Sequence, residues 1–364
     1  MNRRFLLLLS IGLPAIAFGP AAGAAPRLSL NPYDGVDWRH VGRHFGSFHS
    51  HTTESDGKLS PAAVIDRHHA IGHDVLALTD HNRNTWPWSR FDRDPERLGM
   101  LAIPGNELSR HDHTLSLFTD LETDTKDHET GIREIQEAGG LSVLAHPGRY
   151  WKPEGGKVPA DVLDRYARLF RTYPSLVALE VINQADRYPR DRALWDALLT
   201  ELMPSRPVWG MANDDSHQQA HIGLNTTVLL LPQRDEAQVR AALTDGRFYF
   251  TTLTSHPEAR RDRDRTPVIR EIAHDRSAGT LMLEVDCGGE PLPADRIRWI
   301  SSGGEEVHRG PVLDLALEGI DKYVRAEIAG SGGTTYTQPF GIGAENPSHP
   351  RNTAAPTPGR SPRR

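Results

Sequence analysis

Gly46-Ser47-Phe48-His49-Ser50-His51-Thr52-Thr53-Glu54-Ser55-Asp56-Gly57 decides the reading of this chain. An apolar run closes on two histidines separated by one serine, and an acidic residue follows in the turn Ser55-Asp56-Gly57. Side chains that alternate along a strand share a face, so the spacing predicts that both imidazoles reach one metal ion while the strand stays packed. The same device recurs downstream in Thr79-Asp80-His81-Asn82, Gly105-Asn106-Glu107, Ala145-His146-Pro147 and Asp214-Asp215-Ser216-His217. Each cluster ends a hydrophobic stretch, the pattern expected where several parallel strands deliver side chains to the C-terminal mouth of a barrel.

Around these clusters, from Gly46 to about Phe250, short apolar runs alternate with helical patterns, which predicts repeated βα units. Strands are expected at Gly46–His51, Asp74–Thr79, Met100–Pro104, His113–Thr119, Leu141–Ala145, Leu176–Ile182, Pro207–Ala212 and Gly223–Leu231. Ser60-Pro61 supplies a cap and an N1 proline for a helix through Ile71, and further amphipathic helices are expected at Lys126–Ala138, Ala160–Phe170, Asp191–Leu202 and Asp235–Leu243. Gly139-Gly140 is a C-terminal stop. Residues 255–266 read as a charged linker, and the short strands and Gly-rich turns of 266–343 read as a small β-sandwich. The tail 344–364 has too little apolar content to pack and is expected to be disordered.

Composition narrows the chemistry. The 364 residues are 37% hydrophobic and 25% charged, as in an ordinary soluble protein, and the net charge of −6 argues against a general nucleic-acid binder. Cys287 is the one cysteine, so metal ligands must be His, Asp and Glu, which suit zinc, manganese or iron. Arg3-Arg4, the apolar run beginning at Phe5, and Ala22-Gly23-Ala24 predict an export signal over 1–25, with a resemblance to twin-arginine signals. The apolar core is shorter than the roughly 20 residues that span a bilayer, so cleavage would leave a periplasmic or secreted chain with no stable membrane span.

In their order the clusters resemble the PHP superfamily of metal-dependent phosphoesterases, named for polymerase and histidinol phosphatase, over about residues 44–250. The resemblance implies an α/β fold, a distorted seven-stranded (β/α) barrel over 40–254 followed by the β-sandwich, and two or three divalent metal ions. It implies His49, His51, Glu107 and Asp215 as ligands of a first metal, with Glu107 bridging to a second that also takes His113 and His146. Asp56, His81 and His217 would bind the third. His111 shares the strand face of His113, and strand-end placement favours His113. Asp80 reads as an orienting residue, and Asp214 is ambiguous beside Asp215.

The implied reaction is hydrolysis of a small phosphate ester by a metal-bridging hydroxide, with Glu107, Asp215 and His217 as catalytic residues. The chain also resembles the CehA/McbA-like branch, whose sites hydrolyse carbamate or carboxylic esters, and a catalytically silent binding protein is a third reading. Of the 18 histidines, His44, His68, His69, His73, His128, His256, His274, His308 and His349 lack a carboxylate at metal-site spacing and read as surface residues. His221, Glu180, Asn183, Arg149, Lys152 and Trp86-Pro87-Trp88 fit either a place near the site or a structural one.

Overall fold

The computed structural model describes residues 27–254, 264–289 and 292–343. The expected export signal, the tail and most of the charged linker lie outside them. The strands are β1 Arg27–Leu30, β2 Gly42–Ser47, β3 Val75–Ala77, β4 Leu101–Ile103, β5 Gly105–Leu108, β6 Thr114–Leu117, β7 Leu141–Leu144, β8 Leu176–Asn183, β9 Trp209–Asn213, β10 Asn225–Leu231 and β11 Phe248–Leu253. They continue with β12 Val268–Asp275, β13 Thr280–Asp286, β14 Ile297–Ser301, β15 Glu305–Arg309, β16 Val312–Asp314, β17 Tyr323–Ala329, β18 Gly333–Tyr336 and β19 Phe340–Gly343. The helices are α1 Pro61–Ala70, α2 Pro95–Leu98, α3 His128–Glu137, α4 Ala160–Thr172, α5 Arg190–Leu202 and α6 Glu236–Asp245.

Local chemistry sets the helix ends where the sequence places them. Ser60 accepts from the Ala63 amide and Pro61 opens α1, while Asp127 and Asp235 accept from the amides of Thr130 and Gln238. A strand missed by the sequence reading, β5, pairs antiparallel with β6, which in turn pairs antiparallel with β7. Only the short segment 109–113 joins β5 to β6, too short for the crossover that parallel strands need. The expected parallel arrangement holds for β2–β3–β4 and for β7–β8–β9.

The strands form an 11-stranded sheet, a 5-stranded sheet in the order β5-β6-β7-β8-β9, and a 3-stranded sheet in the order β12-β13-β16. The first two touch through isolated parallel bridges, Ser50 with Ser216 and His81 with Glu107. Continuous pairing does not run round the ring, so the described residues form a mixed α/β fold of several sheets with no closed barrel.

Strand β10 divides the apolar core. Leu229 and Leu231 pack with Leu179, Trp195, Phe248 and Phe250, whereas Val228 and Leu230 face Tyr249, Ile269, Leu281, Trp299 and Ile328. Alternation with period two lets one strand serve both cores. On its other side β11 pairs with β18, so strand pairing crosses the boundary expected before a separate sandwich, and the 3-stranded sheet covers the second core. Further ties are polar and buried. Asp196 on α5 accepts from Arg325 Nε and Nη2, each at 2.8 Å, and from the Tyr323 hydroxyl at 2.7 Å.

Gln338 completes the edge of β9 by using its side-chain amide as a strand would use its backbone. Its Oε1 accepts from Gly210 N at 2.9 Å and its Nε2 donates to Gly210 O at 2.8 Å. Because both groups are buried, Gln338→Ala should lower the unfolding free energy by about 1–3 kcal/mol. Urea unfolding of metal-free protein measures this, and an unchanged midpoint would contradict the role assigned to Gln338.

Candidate metal centre

The loops at the strand ends are sewn together by backbone bonds that extend the ladders for one residue at a time. Thr79 N donates to Ser50 O at 2.8 Å, His51 N to Ser216 O at 2.9 Å, and Asn82 N to Glu107 O at 2.8 Å. His49 and His51 therefore sit just past β2 rather than within it, which corrects the expected strand Gly46–His51. Their alternation survives in the extended segment, because Ser50 is held from both sides while the flanking imidazoles share the interior. Gly57 lets the following turn fold tightly, since a Cβ there would lie 2.6 Å from His51 O. That turn brings Asp56 back over His51.

Glu107, fully buried, is the centre of the cluster. Its Oε1 lies 2.8 Å from His113 Nδ1, 3.1 Å from His146 Nε2 and 3.3 Å from His49 Nε2. Its Oε2 lies 2.8 Å from His81 Nδ1 and 3.4 Å from His51 Nε2. Asp215 Oδ1 is 3.4 Å from His49 Nε2 and 3.1 Å from His51 Nε2. On the outer side, Asp56 Oδ2 lies 3.3 Å from His217 Nε2 and 3.6 Å from His81 Nε2. All nine side chains named as ligands from the sequence are thus in one place.

Their grouping differs in detail from the expected three sets. The compact groups are His49, His51 and Glu107; His49, His146 and Asp215; His81, Glu107 and His113; and His51, Asp56, His81 and His217. His81 faces both Glu107 and Asp56, and so joins two corners.

The donor set fits divalent cations. His49 Nε2 and His51 Nε2 face each other at 3.1 Å, where two lone pairs repel unless a cation or proton lies between. A tetrahedral zinc with bonds of about 2.0–2.1 Å sets its ligand atoms roughly 3.3–3.4 Å apart, and the nitrogens and oxygens here lie 2.8–3.6 Å apart, a range that includes it. Glu107 Oε2 and His81 Nδ1 are buried and close, yet neither has a hydrogen bond.

Electrostatics agree with this reading. Burial would raise the pKa of Glu107, but the charge on His49 and hydrogen bonds from His113 and His146 outweigh it and hold the carboxyl well below its usual range. Asp215 is depressed in the same way, burial being overcome by His49 and His51. For His49, burial is outweighed by the carboxylates of Glu180, Asp215 and Glu107, which raise its pKa. Burial lowers His51 and His113 and favours their neutral, metal-binding form. Burial also works against charge on His81, but Glu107 and Asp56 outweigh it and raise its pKa, so the ionised carboxylates draw positive charge into the cluster, as protons or as cations.

The surrounding residues separate into clear roles. Asp80 accepts from Thr52 N, Thr52 Oγ1, Ser55 Oγ and Thr85 Oγ1 at 2.6–2.8 Å, and so fixes the turn that carries Asp56. Asp214 turns away to accept from the amides of Gly223 and Asn225. His111 bonds the Asp112 carbonyl, leaving His113 in the cluster. His221 Nδ1 accepts from His217 N at 3.3 Å. His68 and His73, read from sequence as surface residues, are buried beneath Ser50 and Thr226, and His44 pairs with Asp74 at 2.6 Å. His68 also bonds the Val64 carbonyl of its own helix at 2.9 Å, and all three lie outside the centre.

No family model and no curated protein matches the chain. Among solved structures it is similar to a two-domain protein containing a predicted PHP-like metal-dependent phosphoesterase from Bacteroides vulgatus, at 17% identity and TM-score 0.46, covering 86% of this chain and 98% of that one. It is similar to an amidohydrolase from Chromobacterium violaceum at 18% identity and TM-score 0.40, covering 54% of this chain and 96% of that one. A lesion-specific endonuclease from Pyrococcus furiosus matches at 14% identity and TM-score 0.36, covering 56% of each chain.

Asp191, in the first turn of α5, accepts from the Gly148 amide just beyond His146. Burial pushes its carboxyl up to about 8, and the Gly148 bond only partly opposes the shift. Between the unfolded value of 3.8 and about 8 the folded chain holds a proton that the unfolded chain releases. Stability contributed here is therefore lost as pH rises through that window. Urea unfolding across the same range should show the parent chain losing stability relative to Asp191→Asn. A difference independent of pH would refute this assignment.

Proposed function

We propose that this chain is an exported metal-dependent hydrolase of PHP type, acting on a small phosphate ester with two or three divalent ions, zinc, manganese or iron. The observation that carries the reading is the convergence of His49, His51, Asp56, His81, His113, His146, Asp215 and His217 about the buried Glu107. Strands β2, β3, β5, β6, β7, β8 and β9, linked through the two isolated bridges, support the reading of a distorted, open seven-stranded barrel over 40–254. The region 266–343 would be its β-rich companion, and removal of 1–25 would leave the chain in the periplasm or outside the cell. No helix among the described residues is long and apolar enough to cross a membrane.

When bound, such ions lower the pKa of water and neutralise charge on substrate oxygens. The protein's own groups do the remaining work. Glu107 offers each oxygen to different imidazoles and so spaces the ligand sets. Asp56, His81 and His217 are 54%, 25% and 26% exposed, whereas His49 and Glu107 are fully enclosed, so substrate enters on the Asp56 side. His217 Nδ1 donates to the Asp215 carbonyl at 2.9 Å, leaving Nε2 to face that opening beside Asp56 and to hold or release a proton there. Asp215, with a depressed pKa, stays ionised as a ligand and proton acceptor. Tyr150, packed on His113 and His146, carries the Arg149 guanidinium 5.9 Å above its ring, a cation placed near the path of an anionic ester.

Metal-loaded protein should hydrolyse an aryl phosphate or a phosphodiester. His49→Ala and Asp215→Asn should each lower kcat by at least about 100-fold, the scale of losing a positioned acid–base or metal ligand. An aryl carbamate assayed in parallel tests the carbonyl alternative, and turnover of the carbamate alone would overturn the phosphoesterase reading. Loss of both activities on chelation, with recovery on adding back metal, is the expected control. Activity unaffected by His49→Ala and by chelation would remove the metal-dependent reading.

A further inference from the structure

Glu180 lies in the middle of β8, fully buried, and belongs to none of the compact ligand groups. Burying a carboxylate is costly unless its acceptor sites are filled. Here they are filled by the elements that carry the centre. Its Oε1 accepts from His49 Nδ1 at 2.7 Å and from Asn213 Nδ2 at 3.0 Å. Its Oε2 accepts from His146 N at 2.9 Å and from Asn183 Nδ2 at 3.0 Å.

We propose that Glu180 is the positioning residue for the His49–His146–Asp215 corner of the centre, fixing which nitrogen His49 offers to a metal ion and how His146 and Asp215 are turned toward it. The proposal rests on the metal-centre reading. A carboxylate only accepts, so a proton is held on His49 Nδ1, and Nε2, which faces His51, Glu107 and Asp215, is the nitrogen left to give up its proton to a metal ion. The bond to His146 N holds a backbone at φ 32°, a left-handed conformation that a β-carbon disfavours. Asp215, also left-handed at φ 44°, receives Asn183 Nδ2 on its Oδ2 at 3.3 Å, so the amide held by Glu180 reaches the third member of the corner. Asn213 in turn accepts from Phe48 N at 3.3 Å and sets the chain entering His49. One carboxylate thereby aligns ligands delivered by three separate loops.

Asp56, His81 and His217 make no hydrogen bond to Glu180, Asn183 or Asn213, and their tie to this network is the bond from His217 Nδ1 to the Asp215 carbonyl at 2.9 Å, so the effect of Glu180 should fall mainly on its own corner. Glu180→Gln keeps the volume but turns an N–H pair toward donors on one side. Cobalt(II) titration of chelator-treated full-length protein, followed by visible absorption and chelator competition, reads each corner. The expected result for Glu180→Gln is a 10–100-fold loss of affinity for one equivalent and an altered cobalt spectrum, with the remaining binding unchanged. Asp56→Ala should weaken the other corner and leave this one intact. Circular dichroism checks folding of the metal-free variants. Should Glu180→Gln not fold, Asn183→Ala supplies the same test with a smaller loss confined to the same equivalent. Cobalt affinity and spectrum like those of the parent chain, or equal weakening of every equivalent, would overturn the proposal. A parent chain that takes up no cobalt would instead overturn the metal-centre reading itself.

Discussion

A single buried carboxylate governs the architecture. Glu107 gathers five imidazoles from four separate segments onto two buried oxygens. Charge concentrated this way is tolerable only if every neighbour is held in register, because an unpaired buried charge is far more costly than a paired one. Much of the surrounding structure serves that need. The single-residue backbone bridges at Ser50 and His81 tie the loops across the two sheets, and Asp80 fastens the turn that brings Asp56 to the rim.

Backbone strain concentrates in the same place. Asn82, His146 and Asp215 all adopt positive φ, and each sits at or beside a residue of the cluster. Conformations of this kind cost about 1–3 kcal/mol each and persist where surrounding bonds over-determine them. At His146 the bond to Glu180 does so, with Asp191 holding the Gly148 amide beyond it. At Asp215 the bonds come from Asn183 and Gln184. The strain aims side chains that an unstrained strand end would point elsewhere.

The C-terminal β region is bound to this framework rather than appended to it. Strand β18 extends the sheet of β11, Gln338 occupies the edge of β9, and Arg325 reaches Asp196 on α5, the helix whose first turn carries Asp191. A continuous path of sheet pairing and buried polar contacts therefore runs from the C-terminal strands to the loop bearing His146.

The sequence by itself determined which residue types gather at the strand ends. Residue types recurring at the ends of apolar runs, with the family resemblance they carry, named the side chains that the structure brings together. It also placed the helix cap at Ser60, where the capping residue acts within a few positions of itself. Non-local relations were decided only by tertiary structure. The antiparallel β5–β6 pair, the split of β10 between two cores and the shared sheet of the C-terminal strands all depend on partners distant in sequence. Glu180 shows the same limit at the site. In the sequence it is an acidic residue inside an apolar strand, and its place beneath His49 and His146 exists only because β8 is brought against loops more than thirty residues away.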